Sequence, residues 1–155
     1  MTPDISIRRA GPPDCAQLAR LREALWPHTT AEEHARELAP ILDGTAPLTM
    51  PLINLVAEAR SGRLVGFLEV GLRSHADGCD PSRPVGFIEG WYVAEDVRRG
   101  RIGRRLLAAA EEWARGQGCR EMASDTWIDN TLSQHVHEAL GYAVVDRCVH
   151  YRKTL

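Results

Sequence analysis

Residues 85–115 read VGFIEGWYVAEDVRRGRIGRRLLAAAEEWAR, and this stretch limits the fold more than any other. VGFIEGWYV (85–93) predicts a long, otherwise apolar strand with a Glu and a Gly in its interior. A glycine there suggests a bulge or the close approach of another group. Ile102, Leu106, Ala109 and Trp113 follow at spacings of 4, 3 and 4, one face of a helix. Between strand and helix lies RRGRIGRR (98–105), with five arginines and two glycines. A strand that feeds a helix this way belongs to a sheet with helices on its faces.

The rest of the chain supplies that sheet. ISIRRA (5–10) predicts a short strand, broken by Gly11-Pro12-Pro13. Leu18, Leu21 and Leu25 mark a helix that Pro27 ends. Thr30 with Glu33 is a capping-box pattern opening a second helix. LINLVAEA (52–59) and LVGFLEVGL (64–72) predict an antiparallel hairpin turning at Ser61-Gly62. REMASD (120–125) reads as a short strand. Asn130 can cap a last helix that Gly141 ends, and YAVVDRCVHYRKT is expected to close the chain as one or two strands. The expected class is α/β (α+β), a mixed sheet with helices on its faces, in a single domain spanning 1–155.

Composition narrows the function classes. The net charge is −2, with 8 Arg against 11 acidic residues in 1–80 and five arginines concentrated at 98–105. This is an acidic chain with one cationic spot, not a globally basic nucleic-acid binder. No apolar run approaches the roughly 18 residues of a membrane span, and MTPDISIRRA carries no secretory pattern, so the expected compartment is the cytoplasm. Cys15, Cys79, Cys119 and Cys148 form no CxxC pair, which disfavours a zinc or thioredoxin-type site.

A helix start offers unpaired N–H donors and a positive dipole end to an anion, and arginines around it add charge. GxxxxGK[ST] and GxGxxG are both absent. On these grounds the loop is either a phosphate site or a solvated helix start.

EGWYVAEDVRRGRIGRRLL resembles the acetyl-coenzyme-A motif of the GNAT superfamily of N-acetyltransferases, with Arg98 and Gly103 at matching positions. Arg101 stands where that family places its middle glycine, and Gly100 precedes it. The resemblance implies the GNAT acyl-CoA N-acyltransferase fold, a central mixed, mostly antiparallel sheet flanked by about four helices. Within GNAT the chain is similar to the aminoglycoside 6′-N-acetyltransferases. LW-P-H (25–28), DGCD with FIEGWYV (77–93), GCREMASDT (118–126), the 130–142 segment and YRK carry that likeness. The Trp-to-His spacing in the first motif is one residue shorter than the family's, and His75 falls where a tyrosine is expected.

The resemblance implies that Trp26, His28, His75, Glu89, Asp125 and Asp146 face the aminoglycoside. It implies that Trp91, Tyr92, Val93, Arg99, Gly100, Arg101, Ile102, Gly103, Arg104 and Asn130 face the coenzyme. A polycationic, hydroxyl-rich substrate does call for carboxylates and an aromatic wall. Each residue also has a plainer reading. Glu89 can be a core Glu satisfied by an Arg, Asp125 a cap, Asp146 a cross-strand partner of an Arg, and Trp26 core.

The implied reaction is direct attack of an amine on the thioester, with Glu89 as base or cation binder and a backbone N–H near Val93 facing the oxyanion. Many GNAT enzymes place a tyrosine as thiolate acid on the last helix. His135 and His137 are the nearest matches here, and His137 is either the expected acid or an exposed helix histidine. Their two-residue spacing makes a poor metal site, so no metal is expected. Acetyl-CoA is the expected co-substrate, a homodimer the expected assembly, and neither nucleic acid nor membrane an expected partner. The alternatives are a GNAT enzyme acting on another small amine or a protein N-terminus, and a non-catalytic acyl-CoA or nucleic-acid binding module.

Overall fold

A computed structural model describes residues 4–99 and 101–155 of the chain. Five strands follow one another in a single sheet of order β1-β2-β3-β4-β5. They are β1 (Ile5–Arg9), β2 (Leu52–Ala59), β3 (Leu64–Arg73), β4 (Val85–Val93) and β5 (Met122–Ser124). The first four pair antiparallel, and β5 joins β4 in parallel. The helices are α1 (Cys15–Leu25), α2 (Ala31–Leu42), α3 (Ile102–Gly116) and α4 (Thr131–Ala139).

The expected hairpin forms, with Gly62 at φ +84 in its turn, a conformation glycine adopts without a Cβ penalty. Thr30 and Glu33 close the expected box: the Thr30 hydroxyl accepts from Glu33 N–H, and the Glu33 carboxylate accepts from Thr30 N–H. Alternation along the strands sorts the core onto two faces. Leu55 and Ala57 lie with Val65, Leu68, Leu106 and Ala110 under α3, while Val56 and Phe67 lie with Leu18 and Leu38 under α1 and α2.

One expectation is overturned. Residues 143–155 form no strand among the described residues, and they are exposed. Their alternating apolar pattern suits a strand, but β5 pairs over three residues only and presents too short an edge for a sixth strand to follow. REMASD is likewise trimmed to Met122–Ser124.

Candidate active site

Two irregularities in β4 create the site. Glu69 of β3 faces Gly90, but Val70 faces Ile88, so Glu89 is the extra, unpaired residue of a β-bulge. On the other side, pairing with β5 covers only Gly86–Ile88 against Met122–Ser124. Past Ile88 and Ser124 the two parallel strands part, and Glu89–Val93 keep an open edge among the described residues. Ala94 N–H donates to Val65 of β3 at 2.8 Å. By strand alternation, the neighbouring Val93 N–H faces the open edge.

At the far end of that edge lies the arginine loop. Arg101 is the N-cap of α3 and takes the left-handed conformation, φ +61 and ψ +14. The arginine at the expected glycine position therefore adopts a backbone that suits glycine, and Arg99 (φ +78) does the same. No side chain caps the helix, so its first N–H groups remain available to a ligand.

The five arginines divide. Arg98 folds back, its Nε donating to the Val93 carbonyl at 2.9 Å and its guanidinium 5.5 Å from the Tyr92 ring. Arg105 donates to the Ile5 carbonyl at 2.9 Å and ties α3 to β1. Arg99, Arg101 and Arg104 are exposed, with no ion pair among the described residues. Ile102 is 3% exposed and belongs to the core, so only its backbone can serve a ligand. A Cβ on Gly103 would lie 3.3 Å from Trp91, whose ring packs against this first turn. Gly100 lies outside the described residues.

At the bulge, Glu89 is half-buried and clamped by Arg73, Nε to Oε1 at 3.0 Å and Nη2 to Oε2 at 2.9 Å. The Arg73 guanidinium also lies 3.4 Å from the Phe87 ring centroid. Both residues line an open groove of about 450 Å³ with His75, Leu72, Met50 and Pro51. Sequence reasoning allowed Glu89 an arginine partner without naming Arg73, whose place at the end of the β3 pattern was the available signal.

Trp26 is another half-buried aromatic of the region. Its ring packs on Gly90, where a Cβ would meet it, and lies edge-on to Phe67. Arg22 stacks 5.1 Å from the Trp26 ring and pairs with buried Glu69 at 3.3 Å. Burial pushes the Glu69 carboxyl up, opposed by Arg22.

The structure gathers Glu89 and His75 in one groove, with Trp26 behind the bulge. It does not bring in the other expected substrate residues. His28 and Asp125 are exposed, and Asp146 is exposed in the tail, accepting from Arg147 N–H at 2.7 Å. Asn130 is the N-cap of α4, its side-chain oxygen accepting from Ser133 N–H at 3.0 Å.

His137 of α4 sits near the fork between Trp91 and Tyr142, edge-on to both at 5.7 and 5.8 Å. Its Nδ1 is 2.7 Å from the Ser133 carbonyl, and its Nε2 is 2.8 Å from Ser124 Oγ. The sequence reading missed Ser124. Only the meeting of β5 and α4 puts it beside a histidine thirteen residues on. His135 is exposed. No group of three or more metal-ligating side chains occurs among the described residues, and no helix there is long and apolar enough to cross a membrane.

The profile of the Acetyltransferase (GNAT) family matches residues 17–142. The chain is 40% identical over 149 residues to the aminoglycoside N(6′)-acetyltransferase type 1 of Klebsiella aerogenes, covering 96% of each protein. It is 46% identical over 136 residues to that of Serratia marcescens, covering 87% of this chain and 89% of the relative. Among solved structures, it resembles AAC(6′)-Iy in complex with the bisubstrate analogue CoA-S-monomethyl-acetylneamine, with a TM-score of 0.85 and 36% identity over 97% of this chain and 99% of that one.

Proposed function

The chain belongs to the acetyltransferase (GNAT) family, and from that premise we propose that it transfers the acetyl group of acetyl-coenzyme A to the 6′-amino group of aminoglycoside antibiotics. Acetylation removes a positive charge from the drug, which gives resistance. One observation carries the reading: a single strand, β4, joins an uncapped cationic helix start to a groove holding the carboxylate of Glu89 through an open edge. The residues suit an acyl-coenzyme A. Arg99, Arg101, Arg104 and the N–H groups opening α3 meet its phosphates, and Trp91–Val93 line its path toward the fork.

The drug's ammonium is drawn to Glu89, with His75 in the same groove and Trp26 behind it as further contacts, while His28, Asp125 and Asp146, exposed outside the groove, are contacts that the family resemblance alone suggests. The amine attacks as the neutral base, and Glu89 takes its proton directly or through water. Val93 N–H faces the oxyanion as the carbon–nitrogen bond forms. The carbon–sulfur bond then breaks, and the thiolate takes a proton from the His137 side of the fork.

The test is thiol release from acetyl-CoA with kanamycin or tobramycin, beside a panel of polyamines and peptide N-termini. Release with the antibiotics at kcat/KM well above the panel is expected. Folded protein that binds coenzyme A but acetylates only the panel would move the assignment to another amine.

We further infer a single catalytic domain over 1–155 that assembles as a homodimer. Val144, Val145, Val149 and Tyr151 of the tail are exposed in the isolated chain, a patterned segment that a second copy would cover. Sedimentation equilibrium of the full chain, compared with one ending at Tyr142, tests this. The cytoplasm is the inferred compartment, in keeping with four free cysteines.

A further inference from the structure

We propose that Ser124 delivers the proton to the departing thiolate and that His137 acts only through it, an assignment resting on the acetyl-transfer reading above. The argument starts from the two ring nitrogens. Nδ1 faces the Ser133 carbonyl at 2.7 Å and, farther off, the Ser133 hydroxyl at 3.3 Å; the nearer carbonyl oxygen can only accept, so it keeps a hydrogen on that nitrogen. The proton that His137 gains and loses is therefore the one on Nε2. The group facing Nε2 is Ser124 Oγ at 2.8 Å. Trp91 and Tyr142 flank the ring edge-on, and Ser124 Oγ is the hydrogen-bond partner of Nε2 among the described residues.

Ser124 sits where the reaction needs it. It is the last residue paired across the parallel ladder, opposite Ile88, and the strands separate beyond it. Glu89, the bulge residue, follows Ile88 on the facing strand. A thioester held along the open edge has Ser124 on the β5 side and the amine site on the β4 side. When His137 is an imidazolium, Nε2–H donates to Ser124 Oγ and leaves the hydroxyl hydrogen free to point into the fork. As the carbon–sulfur bond breaks, the sulfur takes the Ser124 hydroxyl proton. Ser124 recovers a proton from Nε2–H, and His137 is left neutral until solvent reprotonates it. One proton leaves the pair and one thiol forms.

The charged and titratable surroundings of the ring are few. Tyr142 turns its hydroxyl to Glu111 of α3 at 3.1 Å, and Arg115 lies 3.7 Å from that carboxylate. Asp125 directly follows the end of β5, and His135 and Glu138 are exposed on α4. No carboxylate lies within 4.0 Å of the His137 ring nitrogens among the described residues. The pair is thus governed by Ser124 and Ser133 rather than by an ion partner.

The experiment combines kinetics with ¹⁵N-histidine NMR of the substrate-free enzyme. NMR is expected to show Nδ1 protonated at every pH examined, and wild-type kcat is expected to carry an alkaline limb. Ser124→Ala lowers kcat about hundredfold or more, removes that alkaline limb, and leaves the acetyl-CoA KM within about threefold. Ser124→Thr, which keeps the hydroxyl, restores most of the rate. His137→Gln, which can still bond Ser124 but cannot titrate, also loses the limb.

A wild-type alkaline limb in Ser124→Ala or in His137→Gln would overturn the relay, as would an Nε2–H tautomer with Nδ1 bare. Failure of the acetyl-transfer reading appears elsewhere, as absence of thiol release by the wild-type enzyme with every antibiotic.

Discussion

Arg73 and Glu89 meet through two parallel hydrogen bonds of 3.0 and 2.9 Å, although strand register sets Arg73 opposite Val85. The bulge at Glu89 and the stacking of Arg73 on Phe87 bring them together. In the absence of a ligand, the groove's carboxylate already carries a guanidinium. A polycationic substrate must share that carboxylate with Arg73 or displace it, against like-charge repulsion.

Arg73→Ala is accordingly expected to lower the antibiotic KM about three- to tenfold at low salt, with the gain shrinking at high salt. The acetyl-CoA KM stays unchanged. Steady-state kinetics at two ionic strengths check this. A raised antibiotic KM would mean that Arg73 holds Glu89 in its working position.

Glu89→Gln keeps the shape and removes the charge. The antibiotic kcat/KM is expected to fall about ten- to hundredfold, the size of one charge-assisted hydrogen bond of roughly 1.5–3 kcal/mol. Coenzyme binding and thermal stability should hold. Unchanged kinetics would leave Glu89 as a strand residue satisfied by Arg73 alone.

Arg101→Gly relieves a left-handed arginine at the start of α3. Relief of about 1–2 kcal/mol, less about 0.5–1 kcal/mol for glycine's greater freedom when unfolded, leaves a small net gain. A rise in Tm of a few degrees by calorimetry is expected, together with a higher acetyl-CoA KM from the lost cation. A lower Tm would show that the Arg101 side chain contributes more than its backbone costs.

Asp14 supplies a pH dependence of stability. Arg8 donates to both its oxygens at 2.8 Å, and this pairing holds the Asp14 carboxyl below its usual range. A carboxyl lowered on folding stabilises the fold above its unfolded pKa of about 3.9, and this is lost as pH falls through the folded value. Asp14→Asn should cost about 2 kcal/mol at pH 7, with the difference from wild type closing below about pH 4. Urea denaturation of both proteins across that range measures it. A difference that does not change with pH would remove the charge from the account.

Local patterns made much of this legible. β2 and β4 run over the expected residues, because long apolar runs bounded by Pro, Gly and polar turns leave little choice of limits. The Thr30–Glu33 box and the start of α3 after the arginines follow equally local chemistry. Gly90 signalled a bulge or a close approach, and the fold has both. The missed features are side-chain pairings that only the folded arrangement of neighbouring elements brings about. Nothing near Ser124 announces His137, nothing near Arg8 announces Asp14 as its partner over other acids, and the apolar pattern of 143–155 does not reveal that no sheet edge receives it.

The three-residue junction between β4 and β5 also bears on motion. So few rungs make the β5–α4 unit the part of the sheet held by the fewest cross-strand hydrogen bonds. Amides of Met122–Ser124 should then exchange with solvent through local opening events well below the free energy that protects β2 and β3. Such breathing widens the fork without disturbing the four antiparallel strands, and coenzyme seated between β4 and β5 would slow it. The joint that makes room for a thioester is, on this view, also the joint at which the molecule first comes undone.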